Sequence, residues 1–386
     1  MSQPLPALRG HHRIWQVLRA EGELASLGRL KVGRPRPGAH RFDPRCFDNE
    51  EDLLIELALL GVERIAPVYR VGPGDIRVHG YIEGEPLSVP RPPGTALTDS
   101  ELDELTAMFG RLATVSPAAL ALMHRCPVGL RPRTGRDFLR GLVRFTRRRV
   151  YAVHRPALGG LFAALRVDPA VLAPTGPLAR EAALLTDRPF CLLHADLHRD
   201  NLIVAESDGG LCVIDWELAL IGDPVYDLAT HLHLMRYPPE QEREVLARWA
   251  RAVDESLPGA AAGLSRDLPR YLAYKRVQSV FTDVIRQAYQ VRSTPSAELP
   301  AQLARTGEVV STVLGRAAHV LGLRRVPGPR AVEAVYAAFS AAPIPATRAR
   351  SAAPAPPSAA PSPAAPAATR RAGPSAALPR GRSGGG

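Results

Sequence analysis

His194-Ala195-Asp196-Leu197-His198-Arg199-Asp200-Asn201, followed by Ile214-Asp215-Trp216-Glu217, is the stretch on which the reading of this chain turns. Between its halves lie two apolar runs, 202–206 and 211–214, joined by Ser207-Asp208-Gly209-Gly210. Asp-Gly between such runs predicts a β-hairpin. Pairing Ser207 with Gly210 sets Leu202 opposite Asp215, which brings Asn201 and Asp215 together at the hairpin's open end. Two oxygen ligands there suit magnesium, an ion that takes few protein ligands and completes its octahedron with water and phosphate. Asp196 stands on the preceding loop, placed to accept the proton of an attacking hydroxyl.

Taken singly, an Asp before a turn is ordinarily a cap and an Asn before a strand a turn residue. Together, on an H-x-D-L-x-x-x-N spacing completed by a hydrophobic-Asp-aromatic triplet, the three are the base and two metal ligands of kinase-type phosphoryl transfer. The expected cofactor is Mg2+, with ATP (or GTP) as co-substrate.

Upstream, residues 11–20, 29–34 and 39–47 show partial alternation and predict strands of an antiparallel meander. Asp48-Asn49-Glu50-Glu51 opens a helix in which Leu53, Leu54, Leu57 and Leu60 hold helical period, and Gly61 closes it. Two strands follow, 65–71 and 76–82, split by Gly72-Pro73-Gly74-Asp75, and Glu83-Gly84-Glu85-Pro86 with the Pro-rich 86–94 reads as a hinge. Helical patterns occupy 98–112, 137–153, 226–255, 266–292, 297–322 and 329–340. The expectation is an α+β, two-lobed molecule. Residues 1–84 form a small antiparallel-sheet lobe that binds nucleotide, and 85–340 a larger, mainly helical lobe for catalysis and substrate. Residues 341–386, built of Ala, Pro, Ser, Arg and Gly, form a disordered tail.

Composition is that of an ordinary globular chain, with 46% apolar and 23% charged residues. The net charge of +11 is uneven: 341–386 holds six arginines and no acid, 1–227 is balanced, and 228–340 has 15 basic against 10 acidic residues. Four cysteines without C-x-x-C spacing predict free thiols in a reducing compartment. With no apolar run of signal-peptide or membrane-spanning length, the chain reads as cytoplasmic with no membrane partner. Ten arginines between Arg125 and Arg155 face one acid, Asp137, without interleaved aromatics, which favours a solvated helix face over a nucleic-acid site. Lys31 and Lys275 are the only lysines among 49 basic residues.

Over 190–230 the chain resembles the aminoglycoside phosphotransferase and choline kinase family, relatives of protein kinases. The resemblance implies a protein-kinase-like fold, Asp196 as catalytic base, Asn201 and Asp215 as magnesium ligands, and His198 as a loop residue near the transferring phosphate. It also implies His194 as a scaffold histidine and Asp227 as a buried acid anchoring the loop backbone. Arg45-Cys46-Phe47-Asp48-Asn49-Glu50 resembles the family's Arg-x-aromatic-x-x-Glu spacing, so Arg45 with Glu50 is the expected phosphate-holding pair, with Arg41 and Lys31 as rivals. The phosphate loop reduces to Gly10-His11-His12, and adenine is expected against backbone groups near Tyr81 and Ile82.

Ala195 replaces the arginine that would read a phosphorylated activation loop, and few residues separate Asp215 from Gly222-Asp223-Pro224. The acceptor is therefore a small molecule, an aminoglycoside-type antibiotic or another hydroxylated metabolite. The surplus of cations over 228–340 weighs against a polycationic acceptor. The alternative is a catalytically idle kinase-fold protein that binds a nucleotide or partner, but an idle fold has no need to keep Asp196, Asn201 and Asp215 together.

Overall fold

Trp15 organises the N-terminal sheet. Strands β1 (Leu8–Arg9), β2 (Arg13–Arg19) and β3 (Arg29–Pro35) run antiparallel, and Trp15 pairs with Gly33 across β2 and β3. A Cβ on Gly33 would lie 2.7 Å from the indole, so the absent side chain lets Trp15 lie across β3. Helix α1 (Glu50–Leu59) follows, capped by the Asn49 side chain accepting from Asp52 N at 2.7 Å. Strands β4 (Val68–Val71) and β5 (Ile76–Gly80) complete a sheet ordered β1-β2-β3-β5-β4.

The computed structural model describes residues 7–10, 12–72, 76–122 and 133–342. His11 of the expected phosphate loop, residues 73–75 of the expected turn and 343–386 of the expected tail lie outside them. The segment 39–47, expected as the third strand, is instead a loop, and the third strand is the one carrying Lys31. Pro44 lacks the donor a ladder needs, and Phe42 and Cys46 are buried in the main hydrophobic core. Cys46 is disulfide-bonded, which corrects the expectation of four free thiols; Cys191 and Cys212 are free.

Gly84–Pro86, read as part of a hinge, is strand β6, which pairs with the first strand of the hairpin over 202–213. Then come α2 (Asp99–Thr114), opened by a Thr98–Glu101 capping box, α3 (Gly135–Phe145), α4 (Ala152–Ala164) and α5 (Pro177–Ala182). The single helix expected over 137–153 is interrupted by a π-turn at Thr146–Tyr151, upstream of Pro156 inside α4. Arg140, Arg144, Arg147, Arg148 and Arg149 are exposed there. Strands β7 (Cys191–Leu193), β8 (Leu202–Ala205), β9 (Leu211–Val213) and β10 (Leu220–Gly222) carry the central motif. Helices α6 (Pro224–Met235), α7 (Pro239–Ser256), α8 (Leu264–Ser293), α9 (Leu299–Leu321) and α10 (Pro329–Ala341) close the fold, with α8 against α6 and α9. No helix among the described residues is long and apolar enough to cross a membrane.

A buried ion cluster fixes the start of α6. Arg188 donates to Asp223 at 2.9 and 3.1 Å and to Asp267, Tyr271 donates its hydroxyl to Asp223 at 2.7 Å, and all three charged side chains are fully buried. Removing Arg188 leaves Asp223 buried without a cation and Asp267 with Arg270 alone. Arg188→Met is expected to destabilise the protein by about 3–5 kcal/mol, read from the midpoint and slope of urea unfolding.

Candidate active site

The chain leaves β7 into a loop clamped from α6. Asp227, 2% exposed, accepts from the backbone N–H groups of His194 (3.0 Å) and Ala195 (2.7 Å). Ala195 takes φ +62°, a left-handed conformation that costs a non-glycine residue roughly 1–2 kcal/mol. Four residues along α6, His231 donates Nδ1–H to Leu197 O at 2.8 Å and accepts from the Tyr237 hydroxyl at 2.9 Å. His194 packs edge-on to Trp216 and its Nε2 lies 3.1 Å from Ile214 O, tying the loop to the strand that delivers Asp215.

Asp196 is partly exposed between two neighbours. Asn201 Nδ2 donates to its carboxylate at 3.2 Å and to its carbonyl at 2.9 Å, and His198 Nε2 lies 3.6 Å from the same carboxylate oxygen. Burial would raise the Asp196 pKa, but His198 beside it, with His194 and Lys275, holds it below the ordinary carboxylate value. Burial lowers His198 and Asp196, Asp200 and Asp215 together outweigh it, so its pKa is raised.

The hairpin register differs from expectation. Leu202 pairs with Val213, not Asp215, because the connection is the longer turn 206–209, with Ala205 N donating to Gly210 O at 2.9 Å. Asp215 therefore lies just past the paired region, where Ile214 N donates to Asn201 O at 3.0 Å and Asp215 adopts φ +63°. Burial first, then Glu50, Glu217 and Asp196, push its pKa well above the ordinary carboxylate range, with Lys31 opposing. This surplus of carboxylates, beside an Asn201 amide whose nitrogen is already used, fits a divalent cation held by Asp215 and the Asn201 oxygen. Among the described residues no three His, Cys, Asp or Glu converge as a metal cluster.

The N-terminal cation is placed differently from the Arg45–Glu50 expectation. Arg45, on the loop before α1, bonds Glu217 at 2.6 Å, and His12 Nε2 lies 3.5 Å from the other Glu217 oxygen. Glu50 is buried and accepts from Trp216 N at 3.0 Å. Lys31 on β3 has its Nζ 4.5 Å from the Trp15 ring; burial lowers its pKa while Glu50 and Asp215 attract it. Tyr81 N is occupied by Arg29 O at 2.9 Å, whereas the Ile82 backbone forms no hydrogen bond with another described residue.

Three residues that sequence reasoning gave no role also reach this region. Glu217 follows the triplet directly. Lys275 is buried on α8 with Nζ 5.6 Å from the Tyr226 ring, in the field of Asp43, Asp196 and Asp227. Asp43 accepts from Gln278 at 2.6 Å. The rarity of lysine was the one signal that could have drawn notice to Lys275.

A small antiparallel sheet joined to a mainly helical body, with a clamped Asp loop feeding a hairpin, defines the kinase-like fold. The family model described as the phosphotransferase enzyme family matches residues 15–264, and the chain belongs to that family. A comparison with curated proteins finds no match. Among solved structures, the chain is similar to a protein from Ralstonia eutropha JMP134 provisionally called an aminoglycoside phosphotransferase, at 16% identity and TM-score 0.50, covering 83% of this chain and 93% of that one. It is also similar to a choline/ethanolamine kinase family protein from Mesorhizobium loti (16%, TM-score 0.44, 87% and 92% covered). A third is the ethanolamine kinase of Plasmodium vivax (13%, TM-score 0.42, 72% and 75%).

Burial pushes the His231 pKa from the ordinary 6.5 to about 3, so the unfolded chain binds its proton first as pH falls. His194, lowered to about 4 by burial, acts in the same direction. Their contribution is complete above pH 6.5 and is lost progressively below it. Asp227, raised to about 6, and Asp215, raised well above the carboxylate range, act in the opposite direction, so the histidine contribution is read as a difference. Between pH 7 and pH 4.5 the unfolding free energy of His231→Asn, measured in urea and lower than wild type at pH 7, is expected to change less steeply toward instability than that of wild type.

Proposed function

We propose that the chain is an ATP (or GTP)- and Mg2+-dependent O-phosphotransferase acting on a hydroxyl of a small molecule, with Asp196 as general base. The observation that carries this reading is the convergence of Asp196, Asn201 and Asp215 at the end of one hairpin, on a loop clamped by Asp227. Asp196 takes the proton of the acceptor hydroxyl as its oxygen bonds the γ-phosphorus, the β–γ bridging P–O bond breaks, and the nucleoside diphosphate leaves. A carboxylate held below its ordinary pKa is ionised and ready for that proton at neutral pH. Asn201 orients Asp196 through its amide nitrogen, and its side-chain oxygen would be the atom left to hold the metal. Magnesium on Asn201 and Asp215 would supply charge neutralisation for the phosphates. His198 lies beside the base, raised in pKa and so able to carry positive charge toward the transferring group.

Residues 1–84 take the nucleotide and 85–340 the chemistry and acceptor. The Ile82 backbone is open to adenine. Lys31, with Glu50 and Asp215 in its field, suits the phosphates better than Arg45, which is engaged with Glu217. A cytoplasmic setting follows from the need for nucleoside triphosphate; the Cys46 disulfide leaves the cysteines out of that argument.

Asp196→Asn is expected to lower phosphoryl transfer by about 10²-fold or more while nucleotide affinity, measured by calorimetry, stays near wild type. Turnover of the variant at the wild-type rate would sink the base assignment. Lys31→Met is expected to raise KM for the nucleotide by at least about tenfold, the scale of one lost charge-assisted contact. Arg45→Met is expected to change it little; the reverse order in steady-state kinetics would restore Arg45 as the phosphate cation.

A further inference from the structure

A groove of about 380 Å³ lies beside α3 and the π-turn that follows it, within the size range of small-ligand pockets. Arg140, Arg144, Arg147 and Arg148 line it, and no carboxylate does. Spaced i, i+4, i+7 and i+8, they share one face of the helix, about 12 Å long at 1.5 Å per residue. The opposite face is fixed: Phe138, Leu142 and Phe145 are buried, and Thr146 Oγ1 lies 3.1 Å from the Tyr274 hydroxyl on α8. The facing wall, Leu172-Ala173-Pro174 with Ala179 of α5, leaves the 3-10 turn Pro169–Leu172. Asp168 caps that turn by accepting from Ala170 N at 2.8 Å, and Gly176 N donates to Ala173 O at 2.9 Å. A Cβ at Gly176 would lie 2.6 Å from Ala170 O, so glycine lets this wall fold back on itself.

Arg13, Arg188, Arg248 and Arg270 each pair with carboxylates. In the groove the pattern is different. Arg140 donates Nε to Ala179 O at 3.4 Å, and the Arg144, Arg147 and Arg148 side chains form no ion pair or hydrogen bond with a described residue. The acids nearest in sequence are engaged elsewhere, Asp168 in its cap, Glu181 with Arg270 at 3.1 Å and Asp187 with Gly135 N at 3.2 Å. Asp137, one turn before Arg140 and exposed, forms no ion pair with a described residue. Like charges one turn apart on a helix repel, and a bound anion would remove that cost.

We infer that this groove binds a small organic compound carrying two phosphate groups, held by Arg140, Arg144, Arg147 and Arg148, with its organic body against Leu172, Ala173 and Pro174. Guanidinium forks match phosphate oxygens bidentately. Two phosphate monoesters carry roughly −3 to −4 at neutral pH, which answers four guanidiniums. One phosphate spans too little of a stripe about 12 Å long to engage all four. The concave wall and the lack of an aromatic ring in the lining favour such a compound over a nucleic-acid strand, whose bases need rings to stack on. The site is independent of the phosphotransferase reading, since no residue of 194–217 lines it.

Fructose, fructose 6-phosphate and fructose 1,6-bisphosphate, titrated calorimetrically into the full chain without nucleotide or metal, test this. Binding is expected to strengthen along the series, with the bisphosphate at least about tenfold tighter than the monophosphate, the scale of one further charge-assisted contact. The triple variant Arg144→Gln, Arg147→Gln, Arg148→Gln is expected to lose at least about tenfold in bisphosphate affinity. Its thermal midpoint should hold, since the three side chains are exposed and unpaired among the described residues. A control of equal charge, Arg136→Gln, Arg149→Gln, Arg155→Gln, removes exposed arginines of the same helical run that do not line the groove, and is expected to bind as wild type does. A flat series, equal losses in the two triple variants, or a first variant that binds the bisphosphate as wild type does overturns the inference. So does a short single-stranded oligonucleotide that binds more tightly than the bisphosphate and is lost in the first variant, which would assign the groove to nucleic acid.

Discussion

The pair of hydrogen bonds from His194 N and Ala195 N to the Asp227 carboxylate is the contact on which the rest of the site depends. Ala195 would not hold φ +62° by itself, and that backbone turn sets where the Asp196 side chain begins. Burial pushes the Asp227 pKa up to about 6 while the two backbone donors pull it back, so at neutral pH it remains an anion able to accept both. Helix α6 is thus a rail. Asp223 anchors its start to Arg188, Asp227 holds the loop one turn later, and His231 meets the loop carbonyl of Leu197 a turn beyond that.

Asp215 and the groups around it follow from that placement. Once the loop is fixed, His194 Nε2 at Ile214 O and Asn201 O at Ile214 N draw the second strand's end to the first. Asp215 then meets Glu50, Glu217 and Asp196, and the cations around the cluster include Lys31, His198, Arg45 and Arg13. Carboxylates brought this close cannot all stay ionised without further positive charge. The geometry that gathers these carboxylates thereby makes a demand for positive charge, which the chain's own cations meet only in part.

What was legible in sequence was what is local in sequence. The Asp196-to-Asn201 spacing, the hairpin and the Asp215 triplet are contiguous, and kinase-like architecture follows from them and from helical period. The hairpin's register was not legible, because Asp208-Gly209 announces a turn without fixing its length, and a turn of four residues moves each partner by two. Segment 39–47 has strand-like alternation, yet Phe42 gains more by burial among the helices than a Pro-interrupted edge could offer. With it goes the expected strand position of Arg45, which lies on a loop and bonds Glu217. The true third strand brings Lys31 toward Glu50 only through pairing and through Trp15, contacts that no spacing encodes. The family match stops at residue 264, so α9, α10 and nearly all of α8 lie beyond it, and their lining of any acceptor pocket had no motif to announce it.

The two lysines show how residue choice answers this geometry. Where one cation serves carboxylates in a fixed fork, the chain uses arginine, as Arg188 does between Asp223 and Asp267. A guanidinium is planar, so its donors commit to the directions of that plane. Lys31 faces Glu50 and Asp215 from the side of an indole, and Lys275 faces Asp43, Asp196 and Asp227 from above a phenol ring. Neither arrangement offers a plane. A compact ammonium with three rotatable donors can be shared among such partners; burial lowers the pKa of both lysines while the carboxylates around each raise it. An arginine at 275 would pair bidentately with one acid, and if that acid were Asp196 it would compete with the base role proposed for it. In a chain with 49 basic residues and only these two lysines, the exceptions stand where a positive charge has to be present without being fixed to a single partner.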